Sequence, residues 1–267
     1  MQQSNLNAVA VSAQTPLAGQ RAVLTGGASG IGQATVLALA AAGAEVAVLD
    51  IDTAGAEATC EEVRGLGGRA FTVQASVTDP GSVEKAFEDL DRIWGCVDLL
   101  INNAGVSGNR AALEIDDAEW RRCMAVNLDG VFYCSRAAGK RMVERGQGAI
   151  VNLGSIYSLV AAPQRLTYCA SKAAVAMLTK TLAIEWASHG VRVNCVAPGY
   201  VNTPLLQSLD SEGRVDLAAI QRRTPQQRLG TPQDMAQAVV YLCEPRSAHI
   251  TGQVLAVDGG WSSYGYL

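Results

Sequence analysis

The chain has 267 residues, 49% of them apolar and 17% charged, a composition that buries a large core and excludes a disordered protein. A net charge of −4 and a pI of about 5.3 provide no basic face for nucleic acid or an anionic membrane, and no run reaches the ~18 apolar residues of a membrane span. Seven cysteines lie scattered without a CxxC pair, and there are only two histidines, which excludes a structural zinc site and suits reduced thiols in a cytoplasmic protein.

In chain order, residues 1–18 contain no cation before Arg21 and no apolar core of a secretory signal, so they are expected to form a flexible tail ahead of a domain spanning 19–267. RAVLT (21–25) is a strand, followed by TGGASGIG and an Ala/Leu-rich helix over 31–42. EVAVLD (45–50), RAFTVQ (69–74), VDLLI (97–101), GAIVNL (148–153), VRVNCVA (191–197) and QVLAVD (253–258) are further strands. Helices are expected over 53–66, from Asp79-Pro80, over Asp116–Arg145, over 165–188 and from Thr231-Pro232, with Asp79 and Thr231 as N-caps. Residues 199–230 look looser. Seven apolar strands alternating with helices predict an α/β fold, a doubly wound seven-stranded parallel sheet with helices on both faces, in one domain.

Gly26, Ser29, Gly30, Ile31 and Gly32 occupy the first strand-to-helix turn. Glycine there lets the backbone approach a pyrophosphate, and the helix N-terminus offers free N–H groups. A glycine run also marks ordinary turns; its place after the first strand is what points to a dinucleotide. Asp50 ends the second strand, 18 residues after Gly32. A carboxylate there accepts from a ribose diol and repels a 2′-phosphate, which favours NAD over NADP; the alternative is a solvated loop aspartate.

Tyr168 and Lys172 stand four apart in a helical stretch and share a face. A phenol with a pKa near ~10 is a poor base, and an adjacent ammonium favours the phenolate. A drop of ~3 units needs ~4 kcal/mol. A Tyr-x-x-x-Lys pair alone is weak, since both residues are common on helix surfaces. Ser155, however, lies thirteen residues earlier, at the carboxyl end of the fifth strand, where such folds build their sites. Its hydroxyl is either a partner for a substrate oxygen or a turn serine.

TGGASGIG, Asp50, NNAG at 102–105, Asn127 in MAVNLDG, Ser155, YCASK and Pro198-Gly199 occur in an order and spacing that resemble the short-chain dehydrogenase/reductase family, in its branch built of one Rossmann-like domain. The resemblance runs from Arg21 to about Gly260. It implies a tetrad of Asn127, Ser155, Tyr168 and Lys172. Tyr168 would be general acid or base, and Ser155 would orient the substrate oxygen. Lys172 would lower the tyrosine pKa and hold the nicotinamide ribose, and Asn127 would anchor a water in the proton relay. Asn103 and Ala104 would line the adenosine side, and Val201 and Thr203 would hold the carboxamide. Ser76-Val77 stands where the family often has Asp-Val against adenine, so the aspartate's role transfers only in part. No metal is required. A homotetramer formed through the two long helices and the last strand is expected.

Substrate choice is less legible. Candidates are Ser107–Arg110, Tyr157, Gln164, Arg165, Tyr200 and a substrate-covering segment at 204–223. Gln164 and Arg165 suit hydroxyls or a carboxylate, or are solvated at a helix end. The aromatics of the final WSSYGYL are expected at a subunit interface. These features predict an NAD-dependent dehydrogenase acting on a secondary alcohol of a polyol, sugar or sugar acid. A 3-oxoacyl-[acyl-carrier-protein] reductase, docking through Arg121-Arg122 or Arg136/Lys140/Arg141, and a non-catalytic nucleotide sensor are the alternatives.

Overall fold

A computed structural model describes residues 15–265. The expected tail at 1–18 therefore falls mostly outside the described residues. Its last part departs from expectation: Leu17 is buried and its N–H donates to Ala42 O at 2.8 Å, so the packed body begins by Thr15.

Seven strands form one parallel sheet: β1 (Arg21–Thr25), β2 (Glu45–Asp50), β3 (Arg69–Gln74), β4 (Leu99–Asn102), β5 (Gly148–Leu153), β6 (Val191–Pro198) and β7 (Val254–Val257). Their order is β3-β2-β1-β4-β5-β6-β7. The order reverses between β1 and β4, and doubly wound sheets open a crevice at that point. Side chains alternate between two cores. Ala22, Leu24, Val46, Val48, Ile101 and Val151 pack on one face, and Val23, Ala47, Leu49, Leu100 and Ile150 on the other. Because both faces are covered, these strands are apolar throughout.

Helices α1 (Gly30–Ala41) and α9 (Pro232–Cys243) pack on the first face, while α3 (Pro80–Trp94), α5 (Gly130–Arg145) and α6 (Leu166–Trp186) pack on the second. Helix α2 (Thr53–Gly65) covers β2 and β3. Aspartates and threonines start the helices as expected. Asp79 accepts from Gly81 N, and Thr231 forms a reciprocal cap with Asp234.

Two expectations are corrected. The stretch Asp116–Arg145 is not one regular helix: α4 (Asp117–Met124) and α5 are joined by a π-helical turn over Ala125–Asp129. Hydrophobic periodicity does not reveal such an insertion, because an extra residue per turn only rotates the succeeding turns about the axis. Residues 199–230 are not loose either. They hold α7 (Pro204–Ser211), capped by Thr203, and α8 (Leu217–Arg223), capped by Asp216.

Beneath the crevice, Asn102 Nδ2 donates to Ser135 Oγ (2.9 Å) and Asn152 Oδ1 (2.8 Å), and Asn152 donates to Thr179 Oγ1 (2.9 Å). This buried chain ties β4 and β5 to α5 and α6. Asn102→Ala leaves two buried acceptors short of a donor, at about 1–3 kcal/mol. Calorimetry is expected to show a lower melting midpoint, by roughly 2–4 °C per kcal/mol at this chain length, with the sheet otherwise intact by circular dichroism.

Candidate active site

The crevice begins at the glycine turn. Gly26 has φ +74°, and a Cβ there would press on the Ala104 backbone; a Cβ on Gly32 would overlap the Gly26 carbonyl oxygen. Close packing therefore dictates both glycines. Asn103 completes the turn: its Nδ2 donates to Thr25 O (3.1 Å) and Gly26 O (2.6 Å), while Thr25 Oγ1 accepts from the N–H groups of Asn103 and Ala104, both at 3.1 Å. Gly30, by contrast, faces open space short of Thr203.

A cleft of about 670 Å³ follows the turn. Gly26, Ser29, Gly30, Ile31, Gly32, Asp50, Ser76, Val77, Asn103, Ala104 and Thr203 all line it. Asp50 is fixed at its rim by N–H donors from Ala28 (3.1 Å) and Asp52 (3.0 Å). Ser76 Oγ is shared with Thr78 Oγ1 at 2.9 Å. The volume of the cleft, the N-terminus of α1 and the Asp50 carboxylate on its wall fit a nicotinamide dinucleotide. Sequence reasoning missed Arg122, which lines this cleft rather than an outer basic patch.

Ser155, Tyr168 and Lys172 meet in an adjoining cavity of about 230 Å³. Ser155 follows β5 and caps a short turn, accepting from Tyr157 N at 3.2 Å. Tyr168 and Lys172 lie on the first turns of α6. Lys172 is buried, and its Nζ donates to Leu153 O at 2.7 Å. Asn127, fully buried in the π-turn, spends its amide on Val106 N (2.8 Å), Val106 O (2.9 Å) and Ser171 Oγ (3.2 Å). It thereby holds the loop after β4 against α6.

Electrostatics here correct one expectation. Burial pushes the Tyr168 phenol up; hydrogen bonding to Ser155 and the positive field of Arg165 work against that rise. Lys172, expected to depress the phenol, sits 5.7 Å from the ring centroid and is itself pushed down to about 8 by burial. The protein interior thus discourages charge on both groups.

Tyr157, Arg165, Tyr200, Leu206 and Leu209 complete the second cavity. The hydroxyls of Tyr157 and Tyr200 share a 2.7 Å hydrogen bond, and Tyr157 stands edge-on to Tyr168 at 6.1 Å. Val201 and Thr203 border the same space, and Ser107 reaches it. Gln164 does not line it: the residue is exposed, with φ +60°. Asn109 and Arg110 lie in a neighbouring polar pocket. Trp261 and Tyr264 flank Arg223 of α8 at 4.7 and 5.0 Å, and Trp261 stacks on Tyr200. Within the chain Trp261 and Tyr264 thus pack on Arg223, and Trp261 supports Tyr200 of the cavity wall; Tyr266 lies outside the described residues.

A family model described as enoyl-(acyl carrier protein) reductase matches residues 26–262. The chain is 42% identical to galactitol 2-dehydrogenase (L-tagatose-forming) of Cereibacter sphaeroides, over 92% of this chain and 96% of that protein. It is 35% identical to 3-oxoacyl-[acyl-carrier-protein] reductase of Thermotoga maritima, over 91% and 98%. Among solved structures, a gluconate 5-dehydrogenase from Burkholderia cenocepacia in complex with NADP and tartrate superimposes with a TM-score of 0.89 at 34% identity, covering 94% of this chain and 98% of that one. This chain belongs to the short-chain dehydrogenase/reductase family, and so to the oxidoreductases that bind a nicotinamide cofactor.

The pKa of Lys172 falls from 10.5 to about 8. Between those values the unfolded chain binds more protons than the native one, so this group makes stability rise with pH across that window and weigh against folding below it. Lys172→Met is expected to stabilise the cofactor-free protein at pH 7 by about 1–2 kcal/mol, part of the gain being lost because Leu153 O forfeits its donor. The gain should shrink toward pH 10 in thermal melts.

Proposed function

We propose that this protein oxidises a secondary alcohol of a small polar molecule (a polyol, sugar or sugar acid) to a ketone, with NAD as the hydride acceptor. The observation that carries this reading is the meeting of Ser155, Tyr168 and Lys172 in a cavity that shares Ile31, Asn103 and Thr203 with the dinucleotide cleft. Tyr168 takes the proton of the substrate hydroxyl as the general base, and Ser155, on the same cavity as the phenol, orients that oxygen and polarises the product carbonyl. Lys172 positions the ribose and offsets the developing phenolate charge, and Asn127 steadies the relay by fixing Val106. When bound, the nicotinamide ring accepts the hydride from the carbinol carbon.

Asp50 supports NAD. Held by two backbone donors, it presents a carboxylate to the ribose diol and opposes a 2′-phosphate. The gluconate 5-dehydrogenase relative carries NADP; Asp50 is the residue that favours NAD in this chain. Galactitol 2-dehydrogenase supports a polyol-like substrate, and the modest cavity supports a small one. The acyl-carrier-protein reductase reading has relatives behind it, but its basic docking patch is weak. Arg141 is neutralised by Glu84 and Asp91, and Arg121 pairs with Asp117. A nucleotide sensor has no need of all four tetrad positions. Phe132, Met177 and Ile184, exposed on α5 and α6, favour assembly as a homotetramer; a cytoplasmic location fits the reduced cysteines.

Two variants test the reading. Tyr168→Phe is expected to lower kcat by at least ~10³-fold, as loss of proton transfer plus misplacement of the substrate oxygen requires, while NADH binding measured by fluorescence persists. Asp50→Ala should raise the KM for NAD by roughly 10-fold and narrow its advantage over NADP, as expected for loss of charge-assisted hydrogen bonds. NADP preferred by the unaltered enzyme would overturn the cofactor assignment.

A further inference from the structure

We propose that Arg165, together with the Tyr157–Tyr200 hydroxyl pair, forms a carboxylate subsite, so that the preferred substrate is a small hydroxy acid and not a neutral polyol. This inference rests on the dehydrogenase reading above and narrows it.

Three observations converge. First, Arg165 is half-buried and lines the cavity of Ser155 and Tyr168, yet its guanidinium makes no ion pair or hydrogen bond with any described residue. Several other arginines are engaged: Arg64 with Glu57, Arg110 with Glu119, Arg141 with Asp91, Arg145 with Asp98 and Arg228 with Asp234. A partly desolvated cation without a partner is costly unless a ligand supplies the opposite charge.

Second, the backbone around it is set. Gln164 adopts the left-handed region at φ +60°, which a residue with a Cβ enters at a cost of ~1 kcal/mol or more. Arg165 then bridges to Arg110, and its carbonyl accepts from Cys169 N at 2.7 Å. The kink places position 165 on the cavity and position 164 outside it.

Third, the guanidinium field reaches both Tyr157 and Tyr168, so the charge lies close to the two phenols. In the Tyr157–Tyr200 pair one hydroxyl donates to the other, which leaves a second O–H to donate outward. Burial and the Tyr200 bond hold Tyr157 far above neutrality, so the pair remains a donor through the working pH range. A planar guanidinium and a phenolic O–H match the two oxygens of a carboxylate. Ile156, Val201, Leu206 and Leu209 add apolar wall to the cavity, which strengthens such a pairing. A neutral polyol leaves the cation unmatched.

The test compares six-carbon aldonates with the alditols of matching configuration, using the full-length enzyme and NAD. Wild type should show a higher kcat/KM for a hydroxy acid. Arg165→Gln should raise the KM for that acid by roughly 10- to 100-fold, the range for a lost charged hydrogen bond, and the KM for the matching alditol by a far smaller factor. Arg165→Lys should recover part of the loss, and Tyr200→Phe should raise the same KM by a smaller factor. Preservation of the circular dichroism spectrum and of NADH binding guards against misfolding. If Arg165 serves only to tune the Tyr168 phenol, Arg165→Gln instead moves the acid-side limb of the oxidation pH profile to higher pH for acids and alditols alike, and the subsite is refuted. Oxidation of alditols in preference to hydroxy acids also refutes it, but leaves the dehydrogenase reading standing. Absence of turnover with every alcohol offered overturns both.

Discussion

The lock between Thr25 and Asn103 is the constraint on which the site depends. Strands β1 and β4 are neighbours, but the sheet winds away from them in opposite directions. Thr25 Oγ1 takes two N–H groups from the segment after β4, and the Asn103 amide returns two donors to the carbonyls of Thr25 and Gly26. Four hydrogen bonds across the switch point fix the glycine turn, and the same segment continues to Val106, which Asn127 pins from the other side. The cofactor cleft and the catalytic cavity thus share one rigid wall, and a dinucleotide can bridge them only because this wall is preorganised.

Behind that wall, burial and charge oppose each other. As the proposed proton-transfer residue Tyr168 would give and take a proton, yet its surroundings disfavour its charged form, and Lys172 loses much of its affinity for protons by being buried. The stability lost through Lys172 keeps an ammonium ready at low dielectric, where its field is strongest. A cationic ring arriving beside both groups would shift the balance toward the phenolate. The site is therefore made active by what binds to it, which explains why the protein alone does not display the lowered phenol pKa that the Tyr-x-x-x-Lys spacing suggested.

Much of this was legible in the sequence. The seven strands followed from short β-branched runs, and Asp79 and Thr231 announced their helices because a side-chain oxygen satisfies free N–H groups in the same way everywhere. Tyr168, Lys172 and Ser155 were found because they lie near one another along the chain and at strand or helix ends. What escaped were features built from tertiary geometry: the π-turn that buries Asn127, the placement of Arg122 on the cofactor cleft and the separation of Arg165 from Gln164. Thr203-Pro204 and Asp216 did signal α7 and α8 within 199–230; the polar, irregular composition around them obscured the signal.

The substrate wall shows why specificity was the least readable property. Tyr157 comes from the turn after β5, Tyr200 from just after β6 and Leu206 and Leu209 from α7, while Trp261, from beyond β7, meets Tyr200 edge-on. Arg223 on α8 binds the carbonyls of Trp261 and Tyr264 and lies against both rings, so the end of the chain braces the helical cover and, through Trp261 and Tyr200, the Tyr157 hydroxyl. Segments far apart in the chain must agree before the cavity has a shape. None of them takes part in the lock at β1 and β4. The wall can therefore change with little effect on the fold, while the proton-transfer residues cannot, and relatives that share this scaffold are free to differ in the alcohol they accept.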